Sequence, residues 1–206
     1  MDRKIYLVRH GKIDCGEKKR YIGTTDLPLC PEGLDQARKL KEFFEDIDIE
    51  KAYASPLERC KKTSEIILED KKLECTVVEE LKEIHMGTWE GKSFDYMKER
   101  FPEQFAYRGC HIDTFVPPMG ESFEMLQKRL MPVVETIIKI TAGNILIVAH
   151  AGVNRVILSK LLGFNLSRLL NVIQPYGCIN ELSWDDQQQK WQCETKNINQ
   201  ILTIAR

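Results

Sequence analysis

Four consecutive apolar residues, Ile5-Tyr6-Leu7-Val8, run directly into Arg9-His10-Gly11. A run with no polar alternation reads as a strand covered on both faces, the kind found in α/β sheets. In open sheets of that kind, ligands bind beyond the carboxyl ends of the strands, so a histidine delivered there stands where a catalytic group belongs. Asn144-Ile145-Leu146-Ile147-Val148-Ala149 repeats the pattern and ends in His150-Ala151-Gly152. If both strands lie in one sheet, His10 and His150 meet at its carboxyl edge.

The chain between these strands supplies charge. Residues 12–29 show no helical or strand period and form a loop long enough to suggest a functional role. Arg20 lies there beside Gly23, Thr24 and Thr25, whose N–H and hydroxyl groups could help bind an anion. A helix opens at Pro31-Glu32-Gly33, with Leu34, Ala37, Leu40, Phe43, Phe44 and Ile47 as its apolar stripe. A short strand over 51–54 then ends in Ser55-Pro56, which reads as an N-cap followed by the first helical residue. Arg59 therefore falls in or near the first turn of a helix, where free N–H groups and the macrodipole favour anions.

A strand near 75–78 precedes a loop over 80–91 carrying Glu83. Residues 93–105 suit a short helix interrupted at Pro102, and the segment 92–119 reads as an irregular lid insertion. Gly120-Glu121-Ser122 caps a long amphipathic helix that Pro132 should kink or interrupt. A helix over 153–162, stopped by Gly163, and a hairpin over 178–184 and 191–196 complete the chain.

The length of 206 residues suits one domain, 1–206. With 30 Lys and Arg against 31 Asp and Glu, no basic excess points to nucleic acid or an anionic membrane, so any anion site is local. No apolar run approaches the roughly 20 residues needed to span a bilayer. No signal-peptide pattern precedes the first strand, and the expected location is cytoplasmic. Seven scattered cysteines without Cys-x-x-Cys spacing fit reduced thiols rather than disulfides or zinc. Oligomeric state is not legible in the sequence.

Two histidines could serve a metal, but arginines beside them would repel one and point instead to an oxyanion, most commonly phosphate. Phosphoryl transfer needs a nucleophile, charge neutralisation on three oxygens and a proton for the leaving oxygen. His10 can attack, Arg9, Arg59 and His150 can hold the oxygens, and Glu83 is the candidate acid. No metal or other cofactor is then required.

Leu7-Val8-Arg9-His10-Gly11, Ser55-Pro56-Leu57-x-Arg59-x-x-x-Thr63, Leu81-x-Glu83-x-x-x-Gly87-x-Trp89-Glu90-Gly91, Gly120-Glu121-Ser122 and Ala149-His150-x-Gly152 occur in this order. The ordered set resembles the histidine phosphatase superfamily, the phosphoglycerate mutase-like group, from Ile5 to about Leu182. The resemblance implies a three-layer α/β/α sandwich with a mainly parallel central sheet. It makes His10 the phosphorylated nucleophile, Arg9, Arg59 and His150 phosphate ligands, and Glu83 the proton donor. Gly23, with Ile22 and Thr24, matches a loop lining the site. Gly11, Arg20, Ala151 and Gly152 join them as candidate substrate-binding residues, whereas Trp89, Glu90, Gly91, His85 and His111 look structural.

Members commonly continue Arg-His-Gly-Glu-Thr-x-x-Asn, whereas this chain has Lys12, Ile13 and Gly16 at the Glu, Thr and Asn positions. Either Lys12, Arg20 or a loop threonine compensates for the absent Asn, or phosphate binding is weaker than is usual in the family. The implied activity is hydrolysis of a small phosphorylated metabolite, and the 20–29 segment is similar to α-ribazole phosphatases, which makes α-ribazole 5′-phosphate a candidate substrate. A cofactor-dependent phosphoglycerate mutase is the alternative, and a silent phosphate-binding module a third reading. The leaving group is expected to meet the 94–115 region.

Overall fold

In the structure, a computed structural model, residues 3–198 are described. Six strands form one sheet in the order β3-β2-β4-β1-β5-β6. β1 (Lys4–Arg9), β2 (Lys51–Ala54), β3 (Cys75–Val77) and β4 (Ile145–Ala149) run parallel, while β5 (Cys178–Asp185) and β6 (Lys190–Asn197) add an antiparallel hairpin. The expected mainly parallel sheet is present, and its central strands bear the two histidines.

Alternation along β1 divides the core. Ile5 and Leu7 pack with Ile145 and Ile147 on one face, and Tyr6 and Val8 with Leu146 and Val148 on the other. α1 (Pro31–Phe44) and α2 (Glu58–Leu68) cover the second face through Leu40, Phe44 and Ile67. α5 (Phe123–Ile140) and α6 (Ala151–Leu162) cover the first through Leu126, Leu130, Val134, Val153 and Ile157. This is the three-layer α/β/α arrangement, with both sheet faces dry.

Several boundaries differ from expectation. α2 begins at Glu58 and not at Pro56, and its N-cap position is Leu57. Ser55 is therefore no cap; Asp26 Oδ1 instead accepts the Glu58 N–H at 2.8 Å, closing the helix end from the 12–29 loop. α6 starts at Ala151, directly after His150. α5 continues unbroken through Pro132, because the buried stripe on either side of it outweighs the roughly 3 kcal/mol that an interior proline costs.

The 92–119 segment is more regular than expected. It holds α3 (Phe94–Arg100) and α4 (Pro102–Cys110), and sends Met97 and Ile112 into the core. Phe94 stacks on Tyr21 at 4.1 Å, so the segment buttresses the 12–29 loop.

Candidate active site

The β1–β4 register pairs Arg9 with Ala149, and the His10 N–H donates to the Ala149 carbonyl at 3.0 Å. Adjacent parallel strands thus deliver both histidines side by side, with ring centroids 5.1 Å apart. The residue after His10 must be small. A Cβ on Gly11 would lie 2.3 Å from the Gly33 carbonyl oxygen, and one on Gly33 would lie 2.1 Å from that of Lys12. These paired glycines let the start of α1 seat directly against the strand end. The Gly11 N–H donates to Thr63 Oγ1, and the Lys12 N–H to Gln36 Oε1.

His10 is 3% exposed, and its Nδ1 lies 2.7 Å from the Gly11 carbonyl oxygen. A carbonyl can only accept, so Nδ1 carries the proton and Nε2 keeps its lone pair. Burial, then the Arg9 and Arg59 charges, hold the imidazole pKa well below 6.5. His10 is held as a neutral imidazole whose Nε2 could act as a nucleophile.

Arg59, 1% exposed, enters from the first turn of α2. Its Nη1 donates to the Thr25 carbonyl at 2.8 Å, Nη2 to the Gly23 carbonyl at 2.7 Å, and Nε to His150 Nδ1 at 3.3 Å. Each Nη retains one further hydrogen for an anion. Glu90 fixes the carbonyl-bearing loop by accepting from the N–H groups of Gly23 and Thr24 and the hydroxyl of Thr25. Arg9 lies 3.8 Å over the Tyr176 ring and donates through Nη1 to the Gln174 carbonyl. Its buried Nε has no hydrogen-bond partner among the described residues, an orphaned donor that an oxyanion would satisfy.

His150 is fully buried, and because Arg59 donates to its Nδ1, its Nε2–H donates to Ser55 Oγ at 2.7 Å. Burial, followed by the adjacent His10 ring, which cannot share a second positive charge with it, and the Arg59 guanidinium, keeps its pKa well below 6.5. Both ring nitrogens are engaged in the free protein. A phosphate contact from this side chain requires the Nε2–H to leave Ser55.

Glu83 is 7% exposed; its Oε1 accepts the Ile84 N–H and its Oε2 the Gly152 N–H, both at 3.0 Å. A Cβ on Gly152 would stand 2.4 Å from Oε1, so the first turn of α6 admits this carboxyl only beside glycine.

Arg9, His10, Arg59 and Glu83 line one cleft of about 290 Å³, together with Ile13, Cys15, Lys19, Arg20, Ile22 and Tyr176. Of the other expected residues, Gly23 and Thr24 hold Arg59 and Glu90 from behind. Gly11 and Gly152 spend their N–H groups on Thr63 and Glu83, and Ala151 lies outside the cleft lining. The outer wall comes from the 12–22 loop and Tyr176, not from 94–115, which supports that loop from outside. His85 lines a separate hollow, and His111 stacks on Tyr107.

Lys12 is paired with Glu32, and the Thr24 and Thr25 hydroxyls go to Glu90. Among the suggested substitutes for the absent Asn, Arg20 is the one in the cleft, tied through Nε to the Cys15 carbonyl and through Nη1 to the Gly91 carbonyl. Sequence reasoning missed Tyr176 and the Gln174–Asn180–Asn154 amide network beneath it. Tyr176 lies in the Pro175-Tyr176-Gly177 turn, whose docking on β1 depends on the antiparallel strand β5.

Among the described residues, no group of three or more His, Cys, Asp or Glu side chains could hold a metal ion, and no helix is long and apolar enough to cross a membrane. The chain is 32% identical over 180 residues to the "Putative phosphoserine phosphatase 2" of Hydrogenobacter thermophilus, covering 87% of this chain and 89% of that one. It is 24% identical over 176 residues to the adenosylcobalamin/α-ribazole phosphatase of Escherichia coli, covering 85% and 87%. The crystal structure of the α-ribazole phosphatase of Shigella flexneri shares the fold with a TM-score of 0.84 at 24% identity, covering 94% and 96%. The model of the histidine phosphatase superfamily (branch 1) matches residues 5–199, and the chain belongs to that family of phosphatases.

Proposed function

We propose that this protein hydrolyses small phosphate monoesters, without a metal, through a phosphohistidine at His10. The observation that carries the reading is the His10 Nδ1–H bond to the Gly11 carbonyl, which leaves Nε2 free in the cleft shared with Arg9, Arg59 and Glu83.

In the first step Nε2 forms a bond to phosphorus as the bond from phosphorus to the ester oxygen breaks. The Glu83 carboxyl gives its proton to the departing oxygen. The remaining N–H groups of Arg9 and Arg59 take up charge on the phosphoryl oxygens. In the second step Glu83 takes a proton from water, the water oxygen bonds to phosphorus and the N–P bond breaks. Phosphate and neutral His10 result, with Glu83 protonated as at the start.

The leaving group meets Ile13, Ile22, Tyr176, Lys19 and Arg20. A cleft of this size with two cations beyond the phosphate site favours a compact ester with a second anionic group, as in phosphoserine. The E. coli relative's name supports α-ribazole 5′-phosphate as a second reading.

A panel of phosphomonoesters including both compounds, assayed with a chelator present, tests the proposal. Hydrolysis that survives chelation and is lost in His10→Ala is expected; metal-dependent turnover overturns it. With 3-phosphoglycerate and 2,3-bisphosphoglycerate, rapid isomerisation with little free phosphate would instead show a mutase.

A further inference from the structure

Glu83 sits on a stretch with little regular structure of its own. Between the 3₁₀ turns at Glu79–Leu81 and Gly87–Trp89, residues 82–86 belong to no helix or strand. Its carboxyl accepts from the N–H groups of Gly152 and Ile84, while the backbone carbonyls of Glu80, Lys82 and Glu83 are held by one side chain. Arg129, on α5, donates through Nη1 to the Glu80 carbonyl at 2.5 Å, and through Nη2 to the carbonyls of Lys82 at 2.9 Å and Glu83 at 3.3 Å.

The guanidinium is itself oriented by Glu121, which accepts from Nε at 2.7 Å and from Nη2 at 3.0 Å. Glu121 also grips the strip directly. Its Oε2 accepts the His85 N–H at 3.3 Å, and its N–H donates to the His85 carbonyl at 2.8 Å. Arg129 does not line the cleft of His10; it lines a hollow of about 530 Å³ on the far side, with Glu121 and His85. Glu83 lines both spaces. The strip is a wall between two voids, and without the clamp it has room to retreat from the substrate.

We propose that Arg129, oriented by Glu121, is a positioning residue that holds Glu83 at the distance proton transfer requires. The inference rests on the reading of Glu83 as the proton donor. Lysine cannot replace the guanidinium, since reaching three carbonyls and a carboxylate at once needs a planar fork rather than a point charge.

The test uses leaving-group chemistry. A nitrophenyl phosphate expels a stable anion and needs little help from an acid; an alkyl phosphate such as phosphoserine needs the proton. In Arg129→Lys, kcat/KM for the alkyl ester should fall about 10- to 100-fold, the cost of small misplacements of a reacting group, while that for the nitrophenyl ester stays unchanged. Glu83→Gln removes the first-step acid and the second-step base, so it should lose more on the alkyl ester than on the nitrophenyl ester, and Glu83→Gln combined with Arg129→Lys should be no worse than Glu83→Gln alone.

Equal loss on both esters in Arg129→Lys, or multiplying losses in the double variant, overturns the positioning role while leaving the acid in place. If Glu83→Gln itself shows no preference between the esters, the acid assignment fails, and the inference with it. Should Arg129→Lys not fold, Glu121→Gln removes the same orientation from the other side. It carries the same expectation, and an equal loss on both esters there counts equally against the proposal.

Discussion

At the scale of single residues the chemistry turns on where one proton sits. The Gly11 carbonyl fixes it on His10 Nδ1, and burial with two arginines keeps the ring neutral well below pH 6.5. The acid limb of kcat/KM, corrected for ionisation of the ester, should therefore lie below pH 6.5; a fall centred at or above that value would show a nucleophile with an ordinary histidine pKa. Ser55 gives a second residue-scale expectation. Ser55→Ala removes the oxygen acceptor of the His150 Nε2–H and leaves it only the weak acceptor Cys60 Sγ at 3.4 Å, a cost of about 1 kcal/mol. Thermal unfolding should show this loss, and an unchanged midpoint would mean that the hydrogen bond contributes nothing. The roles of His10, Arg9, Arg59, His150 and Glu83 rested on an ordered set of motifs; the fold brings four of them to one cleft, while His150 lies buried beside His10 and does not line it. The tautomers were not legible: that of His150 depends on Ser55, 95 residues away, and that of His10 on how the ring turns back onto its neighbour's carbonyl, which the residue order does not encode.

At the scale of elements, the strand ends and the helix starts that meet them define the site. Strand β4 and the end of α6 were readable from an unbroken apolar run and a terminal Gly163, whereas α6 begins at Ala151, two residues before the expected start. The true start of α2 was not, because Asp26 caps it from a loop 32 residues earlier. Period showed a short helix interrupted at Pro102 but not its continuation to Cys110, since the segment's aromatic contacts reach out to Tyr21 and Trp89 as well as within it, as between Phe94 and Phe105. The paired glycines make a quantitative test. Gly33→Ala places its Cβ against the Lys12 backbone and should cost about 1–3 kcal/mol, with activity falling as the His10 segment shifts. Gly109→Ala, in α4 with open space around it, should be neutral or stabilising by up to about 1 kcal/mol. Equal effects in denaturant unfolding of the two variants would remove close packing as the reason for glycine at 33.

At the scale of the whole molecule, the sheet buries two neutral histidines at its centre, and stability follows. In the unfolded chain each protonates near pH 6.5, whereas in the fold each stays neutral to a lower pH. Between those values the unfolded chain binds more protons, so the stabilisation is complete above pH 6.5 and is lost as pH falls below it, at up to about 1.4 kcal/mol per pH unit for each histidine. Thermal melts between pH 7 and 5 should show this decline, with a shallower slope in His10→Gln; a flat profile would mean that neither ring is held neutral. The architecture was foreseeable because two strands buried on both faces need helices above and below. The placement of the antiparallel hairpin beside β1, which brings Tyr176 to the cleft, came from long-range pairing that no local pattern encodes. The proposed mechanism parks a phosphoryl group on one nitrogen of His10. Rapid acid-free quenching of the protein with a turning-over ester, followed by peptide mass spectrometry, locates that group. An acid-labile phosphoryl adduct on the peptide containing His10, absent in His10→Ala, is the expected result. Phosphate release with no adduct, or an adduct on His150 instead, would contradict the mechanism.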